Sequence, residues 1–496
     1  MTEVDNSHAL VHAIDKYLVI RQDAFTQEVD WVAFRETGRH TMRTKYKQNK
    51  INLFDPVKRR FPTGRLGYIL QWCKENGVAY RCIDTRVKPK KQFECKYVGH
   101  PCDDSEGFAP RPYQAEAPAK VKDVGRGVLW HATASGKTVT GARTIQVLGV
   151  NTLYMVPSQD LLHQTAEDLA EVLQGVTIGK CGDGEWNPQQ VTVATTATLW
   201  SRYEKQECKD LLDSTQLLIG DEAHHIQSSS TRDKNGNIKQ VNSWYIIAIN
   251  CEAYYRVGMT GTPGKDIEQK RSLLECAFGR VIDRVSSRML IDLGVIADVD
   301  INMHKIKHSV TQSDYPTARK LGIIMNPEFN AYIVDIAIQE LKAGKNVLLL
   351  TGSKQHQGPA LVRAFKDRGF HDVPFVSSGT LGKARRKARE DFKAGKLKCL
   401  IGTVYKEGIN FPLCDCGILC DGGKDEKKTI QFLGRILRKG KDAKTSTLHD
   451  FFHEDAKYLK KHSNNRLKTY MEEELDSIIM HTGITINYDE VSDGVT

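Results

Sequence analysis

The stretch His131-Ala132-Thr133-Ala134-Ser135-Gly136-Lys137-Thr138 decides how this chain folds. It follows a short apolar run, Gly127-Val128-Leu129-Trp130, and precedes Val139 to Leu148, whose pattern is helical. Strand, Gly-Lys-Thr loop and helix form a phosphate cradle, in which backbone N–H groups and a helix N-terminus converge on an anion. Lys137 is placed to reach the terminal phosphates of a nucleotide, and the Thr138 hydroxyl to ligand Mg²⁺. The stretch departs from its commonest form twice. His131 replaces a small residue, and Ala134 stands where Gly is common. The competing reading is an ordinary strand-to-helix turn with one Gly, and the rest of the chain decides between them.

Outward from the loop, strands and helices alternate. Strands are expected at Asn151 to Val156, Val191 to Thr195, Leu217 to Gly220 and Tyr255 to Met259, with a helix from Leu161 to Leu173 capped by Ser158. Such alternation means a parallel sheet covered on both faces, with ligands at the carboxyl ends of its strands. Leu217 to Gly220 delivers Asp221-Glu222-Ala223-His224 at such an end. Asp221 suits the Mg²⁺ shell, and Glu222 suits a base that orients and deprotonates a water. Thr260-Gly261-Thr262-Pro263 follows another strand, where its hydroxyls can bond the acidic motif and report nucleotide state. Upstream, Arg111-Pro112-Tyr113-Gln114 opens a short helix, and the Gln114 amide offers a donor and an acceptor for an adenine edge; a surface helix start is the bland alternative.

From about 297 to 455 the alternation repeats, with strands at Asn346 to Leu350, Val373 to Ser377 and Cys399 to Val404 and a helix from Gly358 to Asp367. No second phosphate loop occurs. Instead there is Thr403-Val404-Tyr405-Lys406-Glu407-Gly408-Ile409-Asn410, and then Gln431-Phe432-Leu433-Gly434-Arg435-Ile436-Leu437-Arg438. On a helix, Gln431, Arg435 and Arg438 share one face. Arginines presented to a neighbouring surface can stabilise phosphoryl transfer.

The chain has 496 residues, an apolar fraction of 40% and a formal charge of +10, which suits a polyanionic partner if the charge is clustered. Clustering occurs between Arg39 and Arg65, where Arg43, Lys45, Lys47, Lys50, Lys58, Arg59 and Arg60 interleave with Tyr46, Phe54 and Phe61 and the only acid is Asp55. That texture suggests phosphate contacts and stacking on bases; a solvated charged face is the alternative. Arg65 to Asn76 reads as a helix ended by Gly77. The 12 cysteines lack any C-x-x-C pair, and Cys414, Cys416 and Cys420 sit in a strand-like run rather than a zinc site. No run of 18 apolar residues occurs, so the expectation is a soluble, cytoplasmic protein.

Taken in order, these motifs resemble those of superfamily 2 helicases. Arg111 to Gln114 is similar to their adenine motif, His131 to Thr138 to motif I, Pro157 to Gln164 to motif Ia and Asp221 to His224 to the DEAH motif. Thr260 to Pro263 is similar to motif III, Thr403 to Asn410 to motif V and Gln431 to Arg438 to motif VI. Gly261 departs from the Ala common in motif III. Lys45 to Asp55 and Phe61 to Leu66 resemble the small domain ahead of the motor in UvsW-type helicases, which act on branched DNA, and more loosely XPB- and RecG-like motors.

The resemblance implies an α/β fold of two tandem RecA-like parallel-sheet domains, 109–296 and 297–455. A small α+β DNA-binding domain, 1–108, precedes them and a short helical tail, 456–496, follows. It implies ATP and Mg²⁺ held by Arg111, Gln114, Thr133, Ala134, Ser135, Gly136, Lys137, Thr138, Gly408, Arg435 and Arg438, with Thr138 and Asp221 on the metal. Glu222 is the implied base, with Lys137, Gln431, Arg435 and Arg438 around the reacting phosphate. His224, Thr260 and Thr262 would couple the site to DNA touched by Lys58, Arg59, Arg60, Arg65, Thr195 and Thr403. The expectation is a monomeric ATP-dependent helicase or translocase that remodels branched DNA. An RNA helicase, a restriction translocase subunit and a nucleic-acid clamp that binds ATP without turnover are the competing readings.

Overall fold

In the computed structural model, residues 2–3, 19–33, 40–52, 60–84, 86–99, 110–227, 242–261, 270–309, 314–377, 379–380, 382–403, 414–423, 429, 432, 445–475 and 477–486 are described, those up to 60 by their backbone alone. They form two units. The first holds Met1–His131 and Gly136–Arg284, and the second Ala132–Ser135 and Val285–Thr496.

In the first unit, β1 (Val19–Ala33) and β2 (His40–Asn52) pair as an antiparallel ribbon. The register sets Glu28 opposite Lys45 and Asp30 opposite Arg43. Helix α1 (Leu66–Glu75) follows, close to its expected bounds, and buries Ile69 and Cys73. Residues 60–99 do not stand apart as a small domain. Phe93 and Cys95 belong to the first unit's apolar core, because burying them there removes apolar surface from water.

Next come α2 (Pro112–Val124), β3 (Arg126–His131), α3 (Lys137–Leu148), β4 (Thr152–Val156), α4 (Gln159–Val172), β5 (Ile178–Gly182), β6 (Glu185–Asn187), β7 (Val191–Thr195), α5 (Thr196–Ser201), β8 (Leu217–Gly220), β9 (Tyr255–Thr260) and β10 (Val281–Val285). The eight-stranded sheet runs β6-β5-β7-β4-β8-β9-β3-β10. Its central strands, from β7 to β3, pair in parallel. β4, β7 and β8 are buried along their whole length, as strands covered on both faces must be. Ser158 caps α4 as expected, its hydroxyl accepting from the Leu161 N–H at 3.3 Å.

The second unit contains β11 (Asp298–His308), α6 (Pro327–Lys342), β12 (Val347–Leu350), α7 (Gln357–Asp367), β13 (Phe375–Val376), α8 (Gly382–Lys393), β14 (Cys399–Gly402), β15 (Cys416–Leu419), β16 (Thr445–His453), α9 (Lys457–Glu472) and β17 (Ile478–Ile486). Its seven-stranded sheet, β13-β14-β12-β15-β16-β11-β17, is parallel at every pairing. Cys414, Cys416 and Cys420 are buried in and beside β15.

The stretch after 456 is not a separate helical tail. Helix α9 buries Arg466, which bonds Asp450 of β16 at 2.8 Å, and Tyr470, whose O–H donates to the same carboxylate at 2.7 Å. β17 then extends the sheet beside β11. The ion pair and the strand edge both need partners that only this unit's core supplies. Among the described residues, no helix is long and apolar enough to cross a membrane.

Candidate nucleotide site

The first unit's site grows from the carboxyl ends of β3, β8 and β9. Parallel registers align Gly220 of β8 with Gly258 of β9, and Met259 of β9 with Leu129 of β3, so the segments after these strands emerge side by side. β3 leads into the loop, and Gly136 enters α3 with φ 76°. A Cβ at Gly136 would come within 2.6 Å of Gln114 Nε2, so the position admits only glycine without moving that amide. Ala134 also holds a positive φ, 70°. The backbone asks for the left-handed region there, which is why glycine is common at that position.

Gln114 is fully buried, which excludes a surface helix start. Its Oε1 accepts from the Arg111 N–H at 3.0 Å, and its Nε2 donates to the Gly136 carbonyl at 3.5 Å. The amide thus ties the start of α2 to the phosphate loop. His131 is buried too, its Nε2 2.7 Å from an Asp283 oxygen whose neighbour takes Lys120 at 2.6 Å. Burial opposes ionisation of Asp283, but these hydrogen bonds hold its carboxyl below the usual range. The bulky residue at the head of the loop is therefore a structural link to β10.

Beyond β8, Asp221 is buried, with its N–H on the Met155 carbonyl and its Oδ1 accepting from the Glu222 N–H at 2.9 Å. Burial first, and then the Glu222 charge, push its carboxyl up to about 6, against the pull of Lys137. Glu222 has φ 46°, rare for a residue with a side chain, and reaches Lys137 Nζ at 3.9 Å. Strain of this kind collects at functional sites. His224 Nδ1 lies 3.0 Å from Thr260 Oγ1 and 3.3 Å from Glu222 Oε2, so one imidazole joins the acidic motif to the end of β9.

The donor set fits Mg²⁺. Thr138 and Asp221 offer hard oxygen ligands, and a divalent cation relieves the Asp221 carboxylate, whose ionisation burial resists. The loop N–H groups and Lys137 suit the phosphates.

Other expected residues are placed differently. Arg65 is not on a DNA-gripping surface. It is buried, bonded to Glu275 at 2.7 Å, and lies 4.9 Å from the Tyr68 ring centroid, because a guanidinium out of water needs a paired carboxylate. Thr195 is buried and caps α5, accepting from the Thr198 N–H at 3.2 Å. Thr403 is half-buried at the end of β14, its N–H on the Val376 carbonyl. Lys58, Arg59, Thr262, Gly408, Gln431, Arg435 and Arg438, and the side chain of Arg60, lie outside the described residues. Sequence reasoning missed Asp283, which lies too far along the chain from His131 for any local pattern to reveal it.

A phosphate loop opening a helix, an acid pair ending a parallel strand of the same sheet and a second parallel-sheet unit define the class of tandem RecA-like NTPases. Residues 107–265 match the family described as type III restriction enzyme, res subunit, and residues 330–440 match the helicase conserved C-terminal domain. The chain is 26% identical over 341 residues to a putative DNA 3'-5' helicase Rad25 of Halobacterium salinarum, covering 66% of this chain and 52% of that protein. It is 22% identical over 499 residues to the ATP-dependent DNA helicase uvsW of Enterobacteria phage T4, covering 94% and 92%. The solved structure of the ATP-dependent Type ISP restriction-modification enzyme LlaBIII bound to DNA shares the fold, with a TM-score of 0.56 at 16% identity over 76% of this chain and 31% of that one. The chain thus matches a res-subunit domain and a helicase conserved C-terminal domain in that order, and it resembles the DNA helicases UvsW and Rad25. It spans about half the length (52%) of that Rad25 relative.

Proposed function

We propose that the chain hydrolyses ATP with Mg²⁺ and uses the cycle to move along and remodel DNA, with branched DNA as its substrate. The observation that carries this reading is the connected series Lys137, Glu222, His224, Thr260. It links a phosphate-reaching lysine, a strained carboxylate base and a second strand end within one unit. A phosphate binder without turnover needs no base held in that conformation. Bound Mg²⁺ would neutralise charge on the β- and γ-phosphate oxygens.

The chain's own residues do the rest. Lys137 and the loop N–H groups hold the phosphates, Glu222 takes a proton from the attacking water, and His224 passes the occupancy of the site to Thr260 and on to Thr262. Arg435 and Arg438, with Gln431, are the motif VI residues that would bring positive charge to the phosphate as it transfers. DNA rather than RNA is favoured by the DNA helicases named among the relatives, and the motif resemblance to UvsW-type helicases supports branched DNA as substrate and a cytoplasmic site of action. We take the working form to be a monomer.

The test is Glu222→Gln. Glutamine can position a water but cannot accept its proton, so phosphate release should fall at least ~10²-fold while nucleotide and DNA binding persist. Release within a few-fold of wild type would remove Glu222 from the role of base.

A further inference from the structure

Tyr154 is the middle residue of β4 and is fully buried in the apolar core. Its ring lies against α3. A Cβ added at Gly141 would meet the ring Cε2 at 3.0 Å and the phenol oxygen at 3.2 Å. Glycine inside a helix costs about 1 kcal/mol relative to alanine, and here it makes room for the phenol. The Tyr154 hydroxyl makes no hydrogen bond of ordinary geometry among the described residues. A buried hydroxyl left so costs about 1–3 kcal/mol, and phenylalanine would fill the same space without that cost.

An interior glycine and a fully buried phenol oxygen therefore meet at one point, one helical turn from Thr138 of the phosphate loop. Gly141 lies three residues after Thr138, on the same helix face. The Thr138 side chain reaches toward the phenol oxygen, and the Asp221 and Glu222 carboxylates lie in its electrostatic surroundings. On the strand side, Tyr154 pairs in register with Ile219, two residues ahead of Asp221.

We propose that Tyr154 is a positioning residue for the divalent-cation site, its phenol oxygen accepting the Thr138 hydroxyl proton so that a Thr138 lone pair faces the cation. The proposal rests on reading the site as one for Mg²⁺ and ATP. A threonine hydroxyl has one proton and two lone pairs. In a helix its χ1 divides between two rotamers, because the hydroxyl can bond back to a carbonyl of the preceding turn. An acceptor fixed on the strand below selects one of them. The phenol oxygen thus acts as an acceptor for Thr138 while the cation takes the facing lone pair.

The experiment compares wild type, Tyr154→Phe, Thr138→Ala and the double variant by binding of a fluorescent ATP analogue, in EDTA and across a Mg²⁺ titration, beside thermal unfolding without nucleotide. Tyr154→Phe should unfold at the wild-type temperature or above and bind the analogue normally in EDTA. It should need three- to ten-fold more Mg²⁺ for the metal-dependent tightening, and should add nothing in the Thr138→Ala background. An unchanged Mg²⁺ requirement in a folded Tyr154→Phe variant overturns the proposal, as does an equal shift in the Thr138→Ala background. Wild-type protein whose nucleotide binding ignores Mg²⁺ would instead overturn the reading of the site itself.

Discussion

Ala134 and Glu222 hold backbone conformations that side chains rarely adopt, and they flank the same chemistry. The departure at Ala134 is visible in the sequence as an alanine where glycine is common, and φ 70° gives the physical reason. Ala134→Gly should relieve that strain, with the greater flexibility of glycine taking back part of the gain. The net expectation is a rise of up to about 1 kcal/mol, or roughly 2–4 °C in melting temperature, with nucleotide affinity kept. A clear fall in melting temperature by calorimetry would mean that the Cβ of Ala134 makes a contact worth more than the strain. Glu222 gives no such sign in the sequence, since glutamate is the expected residue there whatever its φ. Tyr154 reads from sequence as one more apolar strand residue, and only its place beneath Gly141 separates it from the core. Arg65 shows the converse error. Its basic neighbourhood suggests DNA, while its partner Glu275 is 210 residues away and beyond any local pattern.

At the scale of elements, hydrophobic runs and caps locate the strands and helices well, because β4, β7 and β8 are apolar throughout and Ser158 is a strong N-cap. The sequence does not show that β11, β16 and β17 bring histidines together. Tyr332 Oη lies 2.9 Å from His304 Nδ1, His304 Nε2 lies 2.9 Å from His449 Nδ1, and His449 Nε2 lies 3.3 Å from Glu340 Oε1. Lys345 holds the other Glu340 oxygen at 2.6 Å, and His481 stacks on His304. Neighbouring, His308 Nε2 lies 2.8 Å from His453 Nδ1. Burial, with the adjacent histidines, lowers His304 to about 3, and burial lowers His308 to about 4.

Between about pH 6.5 and those values the unfolded chain binds protons that the folded one refuses, so acid favours unfolding. The stability these histidines contribute is present above about pH 6.5 and is lost as pH falls below it. The second unit should therefore melt several degrees lower at pH 5.5 than at pH 7.5, followed by calorimetry. A transition that does not move over that range would show that the histidines take up protons in the fold as they do in the unfolded chain.

At the scale of the molecule, the order of motifs is legible because each lies at a strand end, where local sequence dictates turn and cap. The domain limits are less so. Residues 60–99 belong to the first unit and the stretch after 456 to the second, each through partners distant in sequence. The first ribbon also qualifies the basic reading of Arg39 to Arg65. Its register opposes Arg43 and Lys45 with Asp30 and Glu28, but leaves Lys47 opposite Thr26 and Lys50 opposite Arg21. Like charges set across a ribbon are unfavourable unless an anion comes between them. Lys47→Glu with Lys50→Glu should therefore weaken fork binding and flatten its salt dependence by roughly one unit of slope for each phosphate no longer neutralised. ATP turnover on single strands should persist. Unchanged binding and slope would leave the ribbon a solvated face.

ATP turnover with Mg²⁺ by the wild-type chain, alone and with single-stranded DNA, forked DNA, a four-way junction or single-stranded RNA, decides whether the chain is a motor driven by branched DNA. Turnover should be low alone, strongly stimulated by DNA and most by the branched forms, and little changed by RNA. Turnover that no nucleic acid changes, or that RNA alone raises, would contradict that reading.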